Sequence, residues 1–253
     1  MSMAGGLAKQ GAIPIIALYS TFLQRAYDMI LQDVCMLGLH VVLAIDRAGL
    51  VGEDGETHHG IFDVGFLRQA PGMLLLAPAS TAELQAMLQW ASLTYTGPVA
   101  IRYPRGGNGE YSDAHWTPDS GVITHRQGSA VAIVTYGKLV NNALAAAKLA
   151  ETHGISVSVV RLTRIHPIAY DELPAALNGV KHVVVLEETA EGSGIYQDIG
   201  WNLQSHMPGC GFSKIDLGSR YPTHGTVEQL YKHYGLDAES VLKHIQEVYK
   251  VEN

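Results

Sequence analysis

The chain has 253 residues, 47% hydrophobic and 16% charged, a balance that fits a globular protein of one large or two medium domains. A formal net charge of −7 argues against nucleic acid as the main partner, because binding a phosphate backbone needs a basic face. No apolar run approaches the roughly 20 residues that span a bilayer, MSMAGGLAKQG has no signal-peptide core, and Cys35 and Cys210 define no disulfide framework, so a cytoplasmic setting away from membranes is expected.

IPIIALY (13–19) reads as a buried strand and FLQRAYDMILQDVCML (22–37) as a helix with apolar spacing near 3.6. HVVLAID (40–46) and MLLLAP (73–78) are the next strands. Ser80 to Glu83 has the form of a capping box opening the helix ELQAMLQWASL, with the serine accepting an amide and the glutamate reaching back. PVAIRYP (98–104) closes this series. Continuous apolar strands separated by helices predict a parallel sheet covered on both faces.

GGNGEYSDAHWTPDS (106–120) reads as a linker, and a second alternation follows it. SAVAIVTYG (129–137) is a strand, LVNNALAAAKLAETHG (139–154) a helix, and SVSVVRL, HVVVLEE (182–188) and FSKIDLG (212–218) are strands. Asp237 is placed to cap the last helix, AESVLKHIQEVYK. The expectation is two α/β domains with mostly parallel sheets, residues 1–112 and 113–253, each with its own sheet. The loop 187–196 lacks the full dinucleotide pattern and reads as packing. Arg161, Arg164 and His166 read as a polar loop between elements, and YPTHG (221–225) as a cap for the C-terminal helices.

GEDGETHHG (52–60) carries the densest chemistry. Adjacent histidines on an extended chain point to opposite sides and do not converge on one ion, and Asp54 and Glu56 lack calcium-loop spacing, so no metal site is expected. Glycines at 52, 55 and 60 suit a solvated turn equally well. Yet the loop follows the carboxyl end of a parallel strand, where open α/β sheets bind ligands. The other strand ends place Tyr19, Phe22, Arg25, Arg47 and Arg105 along the same edge as Asp54 and His58. Such a set suits a heteroaromatic, phosphorylated ligand.

YSTFLQRAYD (19–28), DRAGLVGEDGETHHGIFD (46–63) and RYPRG (102–106) resemble the pyrimidine-binding domain of 1-deoxy-D-xylulose-5-phosphate synthases, in the thiamine-diphosphate-dependent transketolase family. The second half resembles the transketolase C-terminal domain, so the likeness covers nearly the whole chain. It implies a three-layer fold for each half. It implies that Phe22 stacks on the cofactor's aminopyrimidine, with Tyr19 and Arg25 lining that pocket. Asp54 and His58 would face the reacting carbon, His58 moving a proton or holding a hydroxyl. Arg47 and Arg105 would clamp the phosphate of glyceraldehyde 3-phosphate, the co-substrate of pyruvate. His59 departs from the glutamine usual in the family and is assigned no role.

The resemblance also implies thiamine diphosphate with Mg²⁺ in the complete enzyme. The family's catalytic glutamate would fall just upstream of Met1, the first strand of the domain would be lacking, and the diphosphate- and metal-binding domain would lie outside this chain. Two readings follow. The chain is one half of a transferase, inactive without an N-terminal partner domain or subunit and forming a homodimer. Alternatively, it is a non-catalytic remnant or regulatory dimerisation module, or the C-terminal subunit of a split transketolase.

Overall fold

A computed structural model describes residues 1–113 and 115–252; Ala114, inside the expected linker, lies outside the described residues. The chain builds two five-stranded sheets. The first contains β1 (Ile15–Tyr19), β2 (Val42–Asp46), β3 (Leu74–Leu76) and β4 (Val99–Arg102), all parallel in the order β1-β2-β4-β3. The second contains β5 (Val122–Arg126), β6 (Val131–Tyr136), β7 (Val157–Leu162), β9 (His182–Leu186) and β10 (Gly211–Ile215), in the order β10-β9-β6-β7-β5 and parallel except for β5. The inner strands β3, β4, β6, β7 and β9 are buried at every position, because helices cover both faces of a parallel sheet.

One strand crosses between the halves. Arg164–His166 forms β8, antiparallel to β3, and completes the first sheet from the second half of the sequence. This corrects the reading of that segment as a polar loop; apart from this one edge strand, each half builds its own mostly parallel sheet, as expected. Arg161 is likewise no loop residue, since it lies in β7 and is fully buried. Strand β8 has only three residues and buries only the middle one, too short a pattern to register as a period of two.

The region expected as a helix over 22–37 starts at Ser20 and runs to Cys35 through short α, 3₁₀ and π segments. Ser80 caps the helix Thr81–Leu93 by accepting the Glu83 N–H at 3.1 Å. Glu83 does not reach back to Ser80. Its carboxylate accepts the Ala79 N–H at 2.8 Å, the Tyr111 hydroxyl at 2.9 Å, and Arg161 Nη1 and Nη2 at 2.9 and 2.6 Å. The full capping box occurs instead at Thr226 and Gln229, opening the helix Val227–Tyr234. Asp237 caps the last helix as expected, accepting the N–H groups of Glu239 and Ser240. The loop after β9 is a packing loop: Glu187 accepts the N–H groups of Ile195 and Tyr196 and the hydroxyl of Tyr136.

Candidate active site

Register sets the site. Tyr19 pairs with Asp46 and Ile45 with Arg102, so the carboxyl ends of β1, β2 and β4 stand at one level. The chain leaves β1 directly into the helical turn Ser20–Leu23, which places Phe22 over Tyr19 with ring centroids 5.4 Å apart and planes 17° from parallel. His58 meets the edge of this stack, 5.3 Å from Phe22 and 6.4 Å from Tyr19. Thr21 donates to the carbonyl of Thr57 at 3.0 Å, tying the loop to the helix start. Phe22 remains 46% exposed, so part of its ring surface is open to solvent.

The loop 52–60 consists of two single 3₁₀ turns, Gly52–Asp54 and Glu56–His58, closed at its base where Gly49 and Gly60 exchange backbone hydrogen bonds of 2.8 Å. A side chain at Gly60 would run into the Arg47 carbonyl and the Ser20 side chain. Arg47 has φ 57°, a conformation uncommon for a residue with a Cβ. It is held there by its own N–H donating to Asp46 Oδ1 at 2.7 Å, by its Nη1 on Asp46 Oδ2 at 3.1 Å, and by its Nε on Asp54 Oδ2 at 2.7 Å. Its Cζ also lies 3.9 Å from the Tyr19 ring centroid, a cation–π contact. Arg105 Nη1 takes the other Asp54 oxygen at 2.6 Å. The Arg47 hydrogen bond, with the charges of Arg105 and Arg47 behind it, holds the Asp54 carboxyl below the usual carboxylate range, so Asp54 is an anion bridging two guanidinium groups.

Six of the seven expected residues are thus linked by direct contacts: Tyr19, Phe22, Arg47, Asp54, His58 and Arg105. Asp54 bonds the arginines and makes no hydrogen bond to His58 among the described residues. Arg25 is exposed and makes no hydrogen bond or ion pair among the described residues.

His59 points the other way and is 3% exposed. Its Nδ1 accepts the Val51 N–H at 3.2 Å, which leaves Nε2 to donate to the Thr223 carbonyl, also at 3.2 Å. Burial lowers its pKa, so the ring is neutral. The residue given no role in the sequence is therefore a pin between the loop and segment 221–225, a segment expected only to cap helices. Among the described residues no group of three or more His, Cys, Asp or Glu side chains is arranged to hold a metal, and no helix is long and apolar enough to cross a membrane.

Beside the arginines lies a cavity of about 340 Å³, walled by Arg47, Ala79, Thr81, Arg105, Asn108 and Lys138 among others. Lys138 was missed in the sequence. It follows β6 as Arg47 follows β2 and Arg105 follows β4, so the same strand-end rule pointed to it. Under the site, Asp63 and Arg102 form a buried ion pair at 2.9 Å, which holds Arg102 charged despite its burial and packs it over Tyr136.

The sequence matches the family profile of the transketolase pyrimidine-binding domain over residues 1–109 and that of the transketolase C-terminal domain over 121–241. It is 40% identical over 254 residues to the 1-deoxy-D-xylulose-5-phosphate synthase of Chlorobium luteolum, and 41% identical over 254 residues to that of Chlorobaculum tepidum. Each alignment covers 99% of this chain and 40% of the relative, so the chain spans about 40% of the length of these curated relatives. A solved structure titled a split gene transketolase, inactive beta4 tetramer, superposes with a TM-score of 0.88 at 28% identity, covering 100% of this chain and 82% of that one. With two transketolase domain profiles in tandem and a split gene transketolase superposing on the whole of this sequence, this chain belongs to the transketolase family.

Proposed function

We propose that this chain forms the pyrimidine-facing and C-terminal part of a 1-deoxy-D-xylulose-5-phosphate synthase-like transferase. The reaction condenses pyruvate with glyceraldehyde 3-phosphate and releases CO2, feeding isoprenoid and thiamine synthesis. The observation that carries this reading is the part-exposed Tyr19–Phe22 stack, edged by His58 and adjoining the Arg47–Asp54–Arg105 cluster. An exposed, pre-stacked aromatic pair fits an aminopyrimidine ring, which gains by offset stacking once water is excluded. Thiamine diphosphate, when bound, supplies the nucleophilic carbon that a 2-oxo acid needs in order to lose CO2. Phe22 would support the ring, and His58, at the edge of the Tyr19–Phe22 stack, is an imidazole that can move a proton at the acceptor's carbonyl oxygen or hold its hydroxyl. Arg47 and Arg105 present guanidinium donors to the acceptor's phosphate while Asp54 fixes their orientation.

The diphosphate and its Mg²⁺ are assigned in this reading to a further domain or subunit, in keeping with the greater length of the relatives. The unit boundary at 112/113 is supported by profile matches that end at 109 and resume at 121. A homodimer in the cytoplasm completes the proposal. Met3, Leu7, Ile13 and Ile15, exposed on and beside the edge strand β1, offer an apolar surface for association. The test supplies pyruvate, glyceraldehyde 3-phosphate, thiamine diphosphate and Mg²⁺ to the purified chain, with and without the diphosphate-binding domain of a relative. Product and CO2 are expected only with the added domain. No product from a complex that demonstrably assembles would refute the reading, and turnover of a ketose phosphate donor in place of pyruvate would favour a split transketolase.

A further inference from the structure

We infer that Lys138, carried by the second sheet, is the residue that selects a phosphorylated acceptor in this site. The inference rests on the proposed function and adds a residue and a specificity to it.

The reasoning is a count of charges around the 340 Å³ cavity. Its walls hold three cations, Arg47, Arg105 and Lys138, and one anion, Asp46. Asp54, bonded to both arginines, adds a second anion at the rim. Arg47 is engaged by Asp46 and Asp54, and Arg105 by Asp54. Two arginines and two aspartates cancel. The amino end of the helix Thr81–Leu93 reaches the same cavity, where the Thr81 N–H and hydroxyl both bond Asn108 Oδ1 and the Glu83 N–H is capped by Ser80. The charge left uncompensated in this count is that of Lys138.

Lys138 is half-buried and its Nζ makes no hydrogen bond or ion pair among the described residues. Gly137, at φ 59°, turns the chain immediately after β6 so that Lys138 leaves the second sheet toward the first. Its side chain lies between the arginine cavity and a second one of about 340 Å³, and both cavities share Pro104, Arg105 and Gly106. The carboxylate it faces on the other side is Glu188. That group is already bonded by the Leu50 N–H and the Tyr231 hydroxyl, and burial raises its pKa. An ammonium suits the task. It is a mobile point charge that approaches a phosphate from any angle, whereas the arginines, locked on Asp54, offer fixed donors and no net field. A neutral aldehyde gains nothing from it, and a phosphate dianion does.

The test titrates the purified chain with glyceraldehyde 3-phosphate, inorganic phosphate and unphosphorylated glyceraldehyde, following amide NMR shifts, in wild type, Lys138→Met, Lys138→Arg and Arg105→Met. Lys138→Met should weaken both phosphate-bearing probes by about 10- to 100-fold, the size of one lost charged hydrogen bond, and flatten their salt dependence. Glyceraldehyde should be unaffected, and Lys138→Arg should retain binding. In the reconstituted enzyme the same variant should raise KM for glyceraldehyde 3-phosphate and spare kcat. If Lys138→Met binds phosphate as wild type does while Arg105→Met does not, the inference falls and the site reading stands. If wild type binds no phosphate, or Arg105→Met changes nothing, both fall.

Discussion

Replacing Glu83 with Gln tests what holds the two sheets together. Glu83 and Arg161 are an ion pair with neither side chain exposed, joined by contacts of 2.6 and 2.9 Å across 78 positions of sequence. The carboxylate also serves the Tyr111 hydroxyl and the Ala79 N–H, so its four bonds gather the helix Thr81–Leu93, the linker and β7. Glutamine keeps the volume and removes the charge. Arg161 is then left buried without a counter-charge, keeping only neutral acceptors: His125 Nε2 at 2.9 Å from Nε, the Tyr111 hydroxyl at 3.3 Å from Nη2, and the glutamine carbonyl. Breaking one side of a buried pair costs about 3–5 kcal/mol, because the surviving charge loses its compensation and cannot reach water. At about 2–4 °C per kcal/mol for a chain of this size, the midpoint should fall by roughly 6–20 °C. Equilibrium urea unfolding, with the melt as a second measure, reads the loss directly. The paired variant Glu83→Leu with Arg161→Met should recover most of it, since no charge is then stranded. A loss below about 1 kcal/mol for Glu83→Gln, or a double variant no better than the single, would refute this account of the pair.

Burial and the Arg161 charge push the His125 pKa down to about 4, below its ordinary value, so the unfolded chain takes up a proton where the folded chain does not. Stability should be full above about pH 6.5 and decline toward pH 4, by at most about 1.4 kcal/mol per pH unit for this one group; a His125→Gln variant with the same pH slope as wild type would exclude His125 as the cause. In a reconstituted enzyme His58→Ala should cut turnover by roughly 10² to 10⁴, the range of a positioned acid or base, with little change in the melt. His59→Ala should destabilise by about 1–3 kcal/mol, because the Val51 N–H and the Thr223 carbonyl lose their partner; equal turnover losses with unchanged melts at both positions would contradict this division. Gly60→Ala should disrupt the loop base, since a Cβ there meets the Arg47 carbonyl and Ser20. A variant with wild-type binding and melt would show that the backbone absorbs it.

Much of the fold was legible because buried parallel strands leave a local mark. VLAI (42–45), VAIV (131–134) and VVVL (183–186) are unbroken apolar runs, and such runs form where helices cover both faces of the sheet. The edge strands β5 and β8 leave no such mark. Val122–Arg126 is partly exposed along its length and Arg164–His166 buries one residue, so their state is decided by the neighbour that offers hydrogen bonds.

The site divides in the same way. Tyr19, Phe22, Arg47, Asp54, His58 and Arg105 could be grouped from sequence, because the ends of parallel strands converge by topology alone. What each side chain touches could not. His58 reaches the aromatic stack and His59 the carbonyl of Thr223, 164 positions away, although the two are chemically identical neighbours. Glu83 read as a local cap and instead compensates Arg161, and Lys138 read as nothing until the turn at Gly137 brought it beside Arg105. The sequence by itself determined the elements whose burial is written into their own residues. Only the tertiary structure decided the partners of its charges, because an ion pair across 78 positions has no period, and burial far from water forces each charge onto whichever counter-charge the fold delivers.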